Sequence, residues 1–304
     1  MTITLTGNNT YALRRKLDEL TAEFIKKYGD LAVEKFDGED VEFQAILDAV
    51  QSLPFLAKRK LVVVRDAGKN KALADHIEQI ISSITDSTDL VFFEPLTDKR
   101  TSFYKTLKAK TQFEELNELD DRSLAKWLVD EAKNQSGELS LTDATYMVQR
   151  LGPNQQLLAN ELAKLITFEP KVSRQSIDLL TDPTPQTKIF DLLDSVFGSD
   201  RQKALKIYSE QRAQRVEPAA ILAMIAWQLN ILTICKLAGD RKPAQIAKDS
   251  GLSPYPVNKG IALAKKISLP RLRSQVKALL EMDYKSKTQT YDLDEALKTY
   301  IATM

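Results

Sequence analysis

The chain is poor in the residues that most catalytic and metal sites require. Its 304 residues include one cysteine, Cys235, and one histidine, His76. A single cysteine excludes an internal disulfide, and the pair supplies too few ligands for a Cys/His zinc site. Ser-His or Cys-His catalysis would depend on His76 alone. His76 lies within the helical spacing of Leu73, Ile77 and Ile80, which predicts a solvated helix histidine without a metal or catalytic role.

Signals for export or membrane insertion are also scarce. The N-terminus has no basic segment followed by an apolar one, and the composition, 43% hydrophobic and 28% charged, is that of ordinary globular proteins. We therefore expect a cytoplasmic protein. The longest apolar run, PAAILAMIAWQLNILTIC at 218–235, approaches membrane-spanning length but carries Gln228 and Asn230 near its middle. It predicts a buried helix of an all-α domain, with Cys235 in the core and no membrane contact.

The formal net charge of +1 hides an asymmetry along the chain. Residues 1–200 hold 25 Lys and Arg against 33 Asp and Glu, whereas residues 201–304 hold 18 against 9. An acidic first part and a basic last part indicate regions with different partners. The basic residues are scattered, so the asymmetry does not establish nucleic-acid binding.

The first 120 or so residues alternate between strand and helix patterns. Short apolar runs typical of strands covered on both faces occur at 3–6, 31–36, 61–64, 90–93 and, more weakly, 113–119. Helical spacing separates them, as at Leu13, Leu17, Leu20 and Phe24. This alternation predicts an α/β domain with a parallel sheet.

Helical spacing alone continues after Asp121. The segment TDPTPQTK at 181–188 has two prolines and no large apolar residue, and predicts a linker. An amphipathic helix follows at 189–197. We therefore predict three domains: an α/β domain at 1–121, a small all-α domain at 122–183 and a larger all-α domain at 184–304.

The first strand leads into a loop that resembles a phosphate-binding loop but lacks its essential residues. After Gly7 the chain reads NNTYALRR, with neither the second glycine nor the lysine of the G-x-x-x-x-G-K-[ST] motif. Arg14 and Arg15 lie too far along the helix to replace that lysine. Glu94 could stand where a magnesium-binding carboxylate would sit, but a buried strand ending in a surface acid is the favoured interpretation. Adjacent Asp120 and Asp121 are typical of a turn and helix cap.

These observations predict an NTPase-like domain without catalytic residues, cofactor or metal. An active NTPase with an aberrant loop remains an alternative, because the strand, glycine and helix are in place.

Several spaced stretches carry a family resemblance. They are SLPFLAKRKLVVV (52–64), LVFFEPLTDKRTSFYKTLK (90–108), SLAKWLVDEAKNQSGELS (123–140), NELAKL (160–165), IFDLLDSVFGSDRQKAL (189–205) and ILAMIAWQLNIL (221–232). In this order and spacing the chain resembles the delta subunits of the bacterial DNA polymerase III clamp loader, which are AAA+ family members without productive ATP binding.

The resemblance implies a protein that binds and opens the ring-shaped sliding clamp, the beta subunit, for loading onto primed DNA. It implies an AAA+/RecA-like first domain, a small helical lid at 122–183 and a collar at 184–304 that joins the delta-prime and tau/gamma subunits. The chain would then hydrolyse no ATP itself, although the holoenzyme to which it belongs is a DNA-directed DNA polymerase, a nucleotidyltransferase.

The connection before the third strand run is unusually apolar. Pro54 disfavours helical geometry at the residue before it, so the preceding helix must end near Leu53, and the strand begins by Lys60 or Leu61. The residues between include Leu53, Pro54, Phe55 and Leu56, where polar residues are expected. From the residues alone, a loop packed into the domain's own core is the simpler interpretation. The resemblance implies instead that Leu53, Pro54 and Phe55 form the clamp-binding wedge.

An alternative of another class is a DNA-binding regulatory protein. The segment PAQIAKDSGLSPYPVNKGIALAKKI at 243–267 reads as two helices around a glycine turn, as in a helix-turn-helix. It lacks the cluster of Arg, Asn and Gln that base recognition requires. We expect Ile246, Ile261 and Ile267 to be core residues of a helical bundle.

Overall fold

The chain forms two compact units, Met1–Glu118 and Leu119–Met304. The computed structural model describes residues 1–252 and 254–304, except for the side chains of Gln186 and Pro254.

A five-stranded parallel sheet organises the first unit, as predicted. Its strands are β1 (Thr2–Gly7), β2 (Val33–Asp37), β3 (Lys60–Arg65), β4 (Thr88–Pro95) and β5 (Gln112–Glu115). Their order across the sheet is β2-β3-β4-β1-β5, and every neighbouring pair is parallel. All strands therefore end at one edge, the carboxyl edge, and begin at the opposite, amino edge.

Helices connect the strands of this sheet. They are α1 (Thr10–Tyr28), α2 (Phe43–Gln51), α3 (Lys71–Asp75), α4 (Ile77–Ser82) and α5 (Ser102–Lys110). The single helix expected around His76 is divided there into α3 and α4, because the backbone of His76 leaves helical geometry (φ −111°, ψ 17°). The side chain of His76 is exposed, as predicted, and its ring lies 5.1 Å from that of Phe43.

The sheet is covered on both faces because successive strand residues point to opposite sides. Val62, Val64, Leu90 and Phe92 belong to one apolar cluster, together with residues of α2 to α5. The alternate residues of β1, β3 and β4 form the other cluster with Leu13 and Leu17 of α1. Of the strand runs predicted from sequence, those of β1, β3 and β4 are thus buried on both sides, whereas the edge strands β2 and β5 are only partly buried.

The second unit is mostly helical. Its helices are α6 (Asp121–Asn134), α7 (Leu141–Leu151), α8 (Gln155–Phe168), α9 (Arg174–Leu180), α10 (Pro185–Phe197), α11 (Arg201–Ala213), α12 (Pro218–Ala238), α13 (Pro243–Ser250), α14 (Pro254–Lys266), α15 (Leu269–Thr288) and α16 (Leu293–Thr303). Asp120 caps α6 by accepting the N–H of Ser123, which confirms the predicted helix cap. Two short parallel strands, β6 (Glu138–Leu139) and β7 (Lys171–Val172), were not predicted.

The linker predicted at 181–188 is partly wrong, because α10 begins inside it at Pro185. Thr184 accepts the N–H of Thr187 as the helix cap, and proline is well tolerated at the first helical position, where its missing N–H has no helical partner. The proline that indicated a linker is therefore a helix start.

Two apolar cores lie within the second unit. One gathers buried residues from α6 to α9 and the short strands, and the other gathers those from α10 to α16. These separate cores support a division near residue 184, although the three-domain division stays a prediction.

By length and hydropathy alone, α12 could cross a membrane. In this structure it contributes Ile225, Leu229, Leu232 and Cys235 to the second core. The core role predicted for this helix and for Cys235 is confirmed.

Candidate functional site

An exposed apolar loop connects α2 to β3 at the amino edge of the sheet. We define the apolar loop as residues 53–59. The helix ends at Gln51 with Ser52 as its cap, and the strand begins at Lys60, as Pro54 led us to predict. Leu53 is 82% exposed and Phe55 74% exposed, so the interpretation of a loop packed into the core is wrong.

Leu56 extends this surface and was not among the predicted site residues. It is 82% exposed and has a left-handed backbone, with φ at 54°. This conformation disfavours residues with a Cβ atom by about 1–2 kcal/mol. The sequence contained one usable signal, since Leu56 belongs to the same apolar run, but its backbone conformation could not be read from it.

Three large apolar side chains thus stand in water within four residues. A single exposed leucine is ordinary, but apolar residues grouped on a surface mark interaction sites. Strained backbone is likewise concentrated at functional segments. The loop therefore has the composition and geometry of a protein-binding surface.

The carboxyl edge of the same sheet is closed where a phosphate loop would be open. The N–H of Asn9 donates to the carbonyl of Leu116 at 3.1 Å, and the N–H of Glu118 donates to Oδ1 of Asn8 at 2.8 Å. A Cβ atom on Gly7, where φ is +128°, would lie 2.0 Å from the Leu116 oxygen. Main chain from residues 116–118 therefore packs directly against the loop that follows β1.

Glu94, at the end of β4, forms two hydrogen bonds at the same edge. Its Oε1 accepts the N–H of Ala67 at 2.6 Å and its Oε2 accepts the N–H of Gly68 at 3.1 Å. The residue is only 3% exposed, so the expectation of a surface acid is wrong. Burial raises the pKa of Glu94 to about 8, because the charged form loses its hydration. The carboxyl group fixes the connection after β3 rather than facing solvent.

The titratable side chains outside these two edges form no metal cluster in the part of the chain that the structure describes. Among residues 1–252 and 254–304, no group of three or more His, Cys, Asp or Glu residues is placed to hold a metal ion. Arg15 pairs with Glu19 at 3.0 Å on the surface of α1. Cys235 is buried, and its thiol lies 3.7 Å from the carbonyl of Val257.

The helix-turn-helix alternative falls on α13 and α14. Ser253, between them, lies outside the described residues. Ile246 and Ile267 are almost fully buried, and Ile261 packs against the same core, as expected for a helical bundle. The apolar side chains of this segment thus pack in the core of the helical bundle.

Comparisons with known proteins give a consistent result. Two models of one family match, "DNA polymerase III, delta subunit" over residues 4–116 and "DNA polymerase III delta subunit, C-terminal domain" over residues 186–304. The chain is 25% identical to DNA polymerase III subunit delta of Bacillus subtilis (strain 168), over 98% of this chain and 90% of that protein.

A solved structure has the same fold along almost the whole chain. The Bacillus subtilis DNA clamp loader delta protein (YqeN) superposes with a TM-score of 0.80 at 22% identity, covering 99% of this chain and 94% of that one. The two family models together span well over half of the sequence, one in each compact unit. The chain therefore belongs to the DNA polymerase III delta subunit family.

Proposed function

We propose that this chain is a clamp-loader subunit that binds the sliding clamp, the beta subunit, through its apolar loop and helps to open the ring. The exposure of Leu53, Phe55 and Leu56 in a member of this family carries the proposal. A clamp pocket lined by apolar side chains would remove all three from water.

The energies are sufficient for such an anchor. Burying a leucine or phenylalanine side chain contributes about 1.5–3 kcal/mol each, before the losses of association are subtracted. Binding energy that is larger on the opened ring than on the closed one would shift the clamp toward the open form. The loop therefore acts as a wedge on a surface near one ring interface.

ATP hydrolysis is assigned to other subunits. The contacts of Leu116 and Glu118 with the loop after β1, together with the absence of the motif lysine, support a domain that does not use ATP. The tau/gamma subunits would supply the ATP-driven changes, and residues 184–304 would form the collar that joins them and delta-prime. The assembled complex would bind primed DNA, in the cytoplasm.

The test is the clamp affinity of Leu53→Ala/Phe55→Ala in the full chain. Truncation of buried anchors of this kind costs at least about 2 kcal/mol, which corresponds to a roughly 30-fold weaker Kd. We expect that loss or more in calorimetric titration against the sliding clamp, with clamp opening reduced in parallel. Circular dichroism should be unchanged because both side chains are exposed.

A matched control removes the same two residue types elsewhere. Leu96 is 74% exposed at the opposite edge of the sheet, and Phe168 is 58% exposed at the end of α8. Leu96→Ala/Phe168→Ala should bind the clamp as the unaltered chain does. Equal affinities for the loop variant and the unaltered chain would show that the clamp binds elsewhere.

A further inference from the structure

A buried lysine lies at the base of the apolar loop. Lys60, the first residue of β3, is only 2% exposed. Its Nζ donates to Oγ of Ser52 at 2.7 Å and to Oε1 of Glu34 at 3.5 Å. Its backbone N–H donates to the carbonyl of Ser87 at 2.9 Å, so the residue is fixed at both main chain and side chain.

Burying an ammonium group at such a position is unfavourable in free energy. Removing a charge from water is costly unless hydrogen bonds compensate, and an apolar side chain of similar length is often equally stable or more stable there. The neighbouring Lys58 is exposed. The bonds that Lys60 makes must therefore explain why its amine is buried.

Those bonds connect the two ends of the apolar loop. Ser52 is the C-cap of α2, and its N–H donates to the carbonyl of Asp48. The bond from Lys60 to Ser52 thus joins the residue just before the loop to the residue just after it. The two residues that flank the seven-residue loop are therefore bonded directly to each other.

The last loop residue is fixed as well. Arg59 donates from Nη2 to Oδ1 of Asp89 at 2.7 Å and from Nη1 to the carbonyl of Asp86 at 2.7 Å. The exposed apolar side chains consequently lie on a segment with an anchored base. In a free loop, mobility would increase the entropy lost on docking.

We propose that Lys60 is a positioning residue, whose bond to Ser52 closes the base of the apolar loop and holds the loop ready for its partner. The inference rests on the proposed function, because the partner is the sliding clamp. When a binding-competent state is only partly populated, the apparent Kd rises in inverse proportion to its population. Opening the base should therefore slow association, while the docked loop dissociates at nearly its usual rate.

The first test is Lys60→Met in the full chain, with the purified sliding clamp as ligand. Methionine fills a similar volume, so the domain should remain folded, with a denaturation midpoint close to that of the unaltered chain. We expect faster amide hydrogen exchange in the free protein at Ser52 and Lys60, whose N–H groups donate to the carbonyls of Asp48 and Ser87 at the base of the loop. Surface plasmon resonance should show association slowed roughly tenfold if the competent population falls to about a tenth, with dissociation changed less than twofold.

A second variant and a double mutant separate positioning from general packing. Ser52→Ala removes the acceptor and should reproduce the exchange and association changes. Lys60→Met/Ser52→Ala should be no slower than either single variant, since both remove one shared bond. Lys58→Met makes the same chemical change at an exposed lysine of the loop and should leave hydrogen exchange unaltered.

The outcomes distinguish this inference from the proposed function. If Leu53→Ala/Phe55→Ala weakens clamp binding but Lys60→Met changes neither hydrogen exchange nor association, the positioning role is refuted. If the alanine variant binds normally, the clamp assignment fails, and faster exchange in Lys60→Met would then show a closed base without a clamp-binding purpose. Additive losses in the double mutant would also refute the shared bond.

Discussion

The two edges of the parallel sheet in the first unit contrast sharply. At the carboxyl edge, where α/β proteins usually bind ligands, backbone N–H groups are bonded to a carbonyl and to side chains of the chain itself, and Glu94 is buried. At the amino edge, the apolar loop exposes three large apolar side chains above a base held by Lys60. Polar groups are bonded within the chain at one edge, and apolar groups are exposed at the other.

The contrast suggests how an α/β domain can differ from one edge of its sheet to the other. Both edges are built on the same strands and helices. What changes is whether polar groups at an edge remain available or bond within the chain, and whether apolar residues are buried or displayed. Three sets of variants test whether the edges are as independent as this implies.

The largest effect is expected at Gly7. In Gly7→Ala the new Cβ atom would overlap the carbonyl of Leu116, at a backbone angle that suits glycine alone. Strain and overlap together should lower the free energy of unfolding by about 3 kcal/mol or more. Urea denaturation of the full chain provides the measurement.

Gly29→Ala is the matched control for Gly7→Ala. Gly29 also has a positive φ, +90°, but among the described residues no atom lies within 4 Å of its added Cβ. Strain alone should cost about 1–2 kcal/mol. Equal losses for the two variants would mean that the carboxyl edge is not tightly closed.

The next effect is the pH dependence caused by Glu94. Because burial raises the pKa of Glu94 to about 8 from an ordinary value of 4.5, the folded chain binds more protons than the unfolded one between these values. Stability should therefore be highest below about pH 4.5, as far as this group is concerned, and fall as the pH rises through 8. Each unit of pKa shift is worth about 1.4 kcal/mol, so the fall is on the order of a few kcal/mol.

Glu94→Gln should remove this dependence. Glutamine resembles the protonated acid and can still accept one of the two backbone N–H groups. The variant should match the unaltered chain near pH 5 and exceed it in stability near pH 8, measured by denaturation at fixed ionic strength. Parallel pH profiles for the two proteins would assign the dependence to other groups.

The smallest effect compares two exposed leucines with left-handed backbones, one at each edge. Leu56 has φ at 54° and Leu96 has φ at 58°. Replacing either by glycine relieves strain at the expense of a more flexible unfolded chain, so stability should stay level or rise by up to about 1 kcal/mol. Only Leu56→Gly should weaken clamp binding, by roughly tenfold, or about 1.4 kcal/mol.

Calorimetric titration of both glycine variants against the clamp gives the comparison. Weaker binding by Leu96→Gly as well would mean that the carboxyl edge also contacts the clamp. Unchanged binding by Leu56→Gly would restrict the anchor to Leu53 and Phe55.

Much of the fold follows from local sequence patterns. The central strands β1, β3 and β4 contain short apolar runs, and two buried faces leave such runs few other structures. Pro54 defined the end of α2 and hence the limits of the apolar loop. The linker prediction was partly wrong at Pro185, because proline is favoured at the first position of a helix as well as in a linker.

The site was harder to predict because it depends on distant residues. The run LPFL suits a buried turn as well as an exposed one, and only the packed domain shows that no core receives it. Glu94 reads as a surface acid until the N–H groups of Ala67 and Gly68 are seen beside it. Lys60 likewise reads as a polar strand end, although its amine is buried.

The burial of Cys235 makes the chain convenient for site-specific labelling. Cys235 belongs to α12 and its side chain is buried in the core. Burial raises the pKa of the Cys235 thiol, so little reactive thiolate is available. Since the chain has no other cysteine, a cysteine introduced at Ala57 would be the one position that a maleimide dye modifies in the folded protein. A fluorophore there would report directly on the environment of the apolar loop.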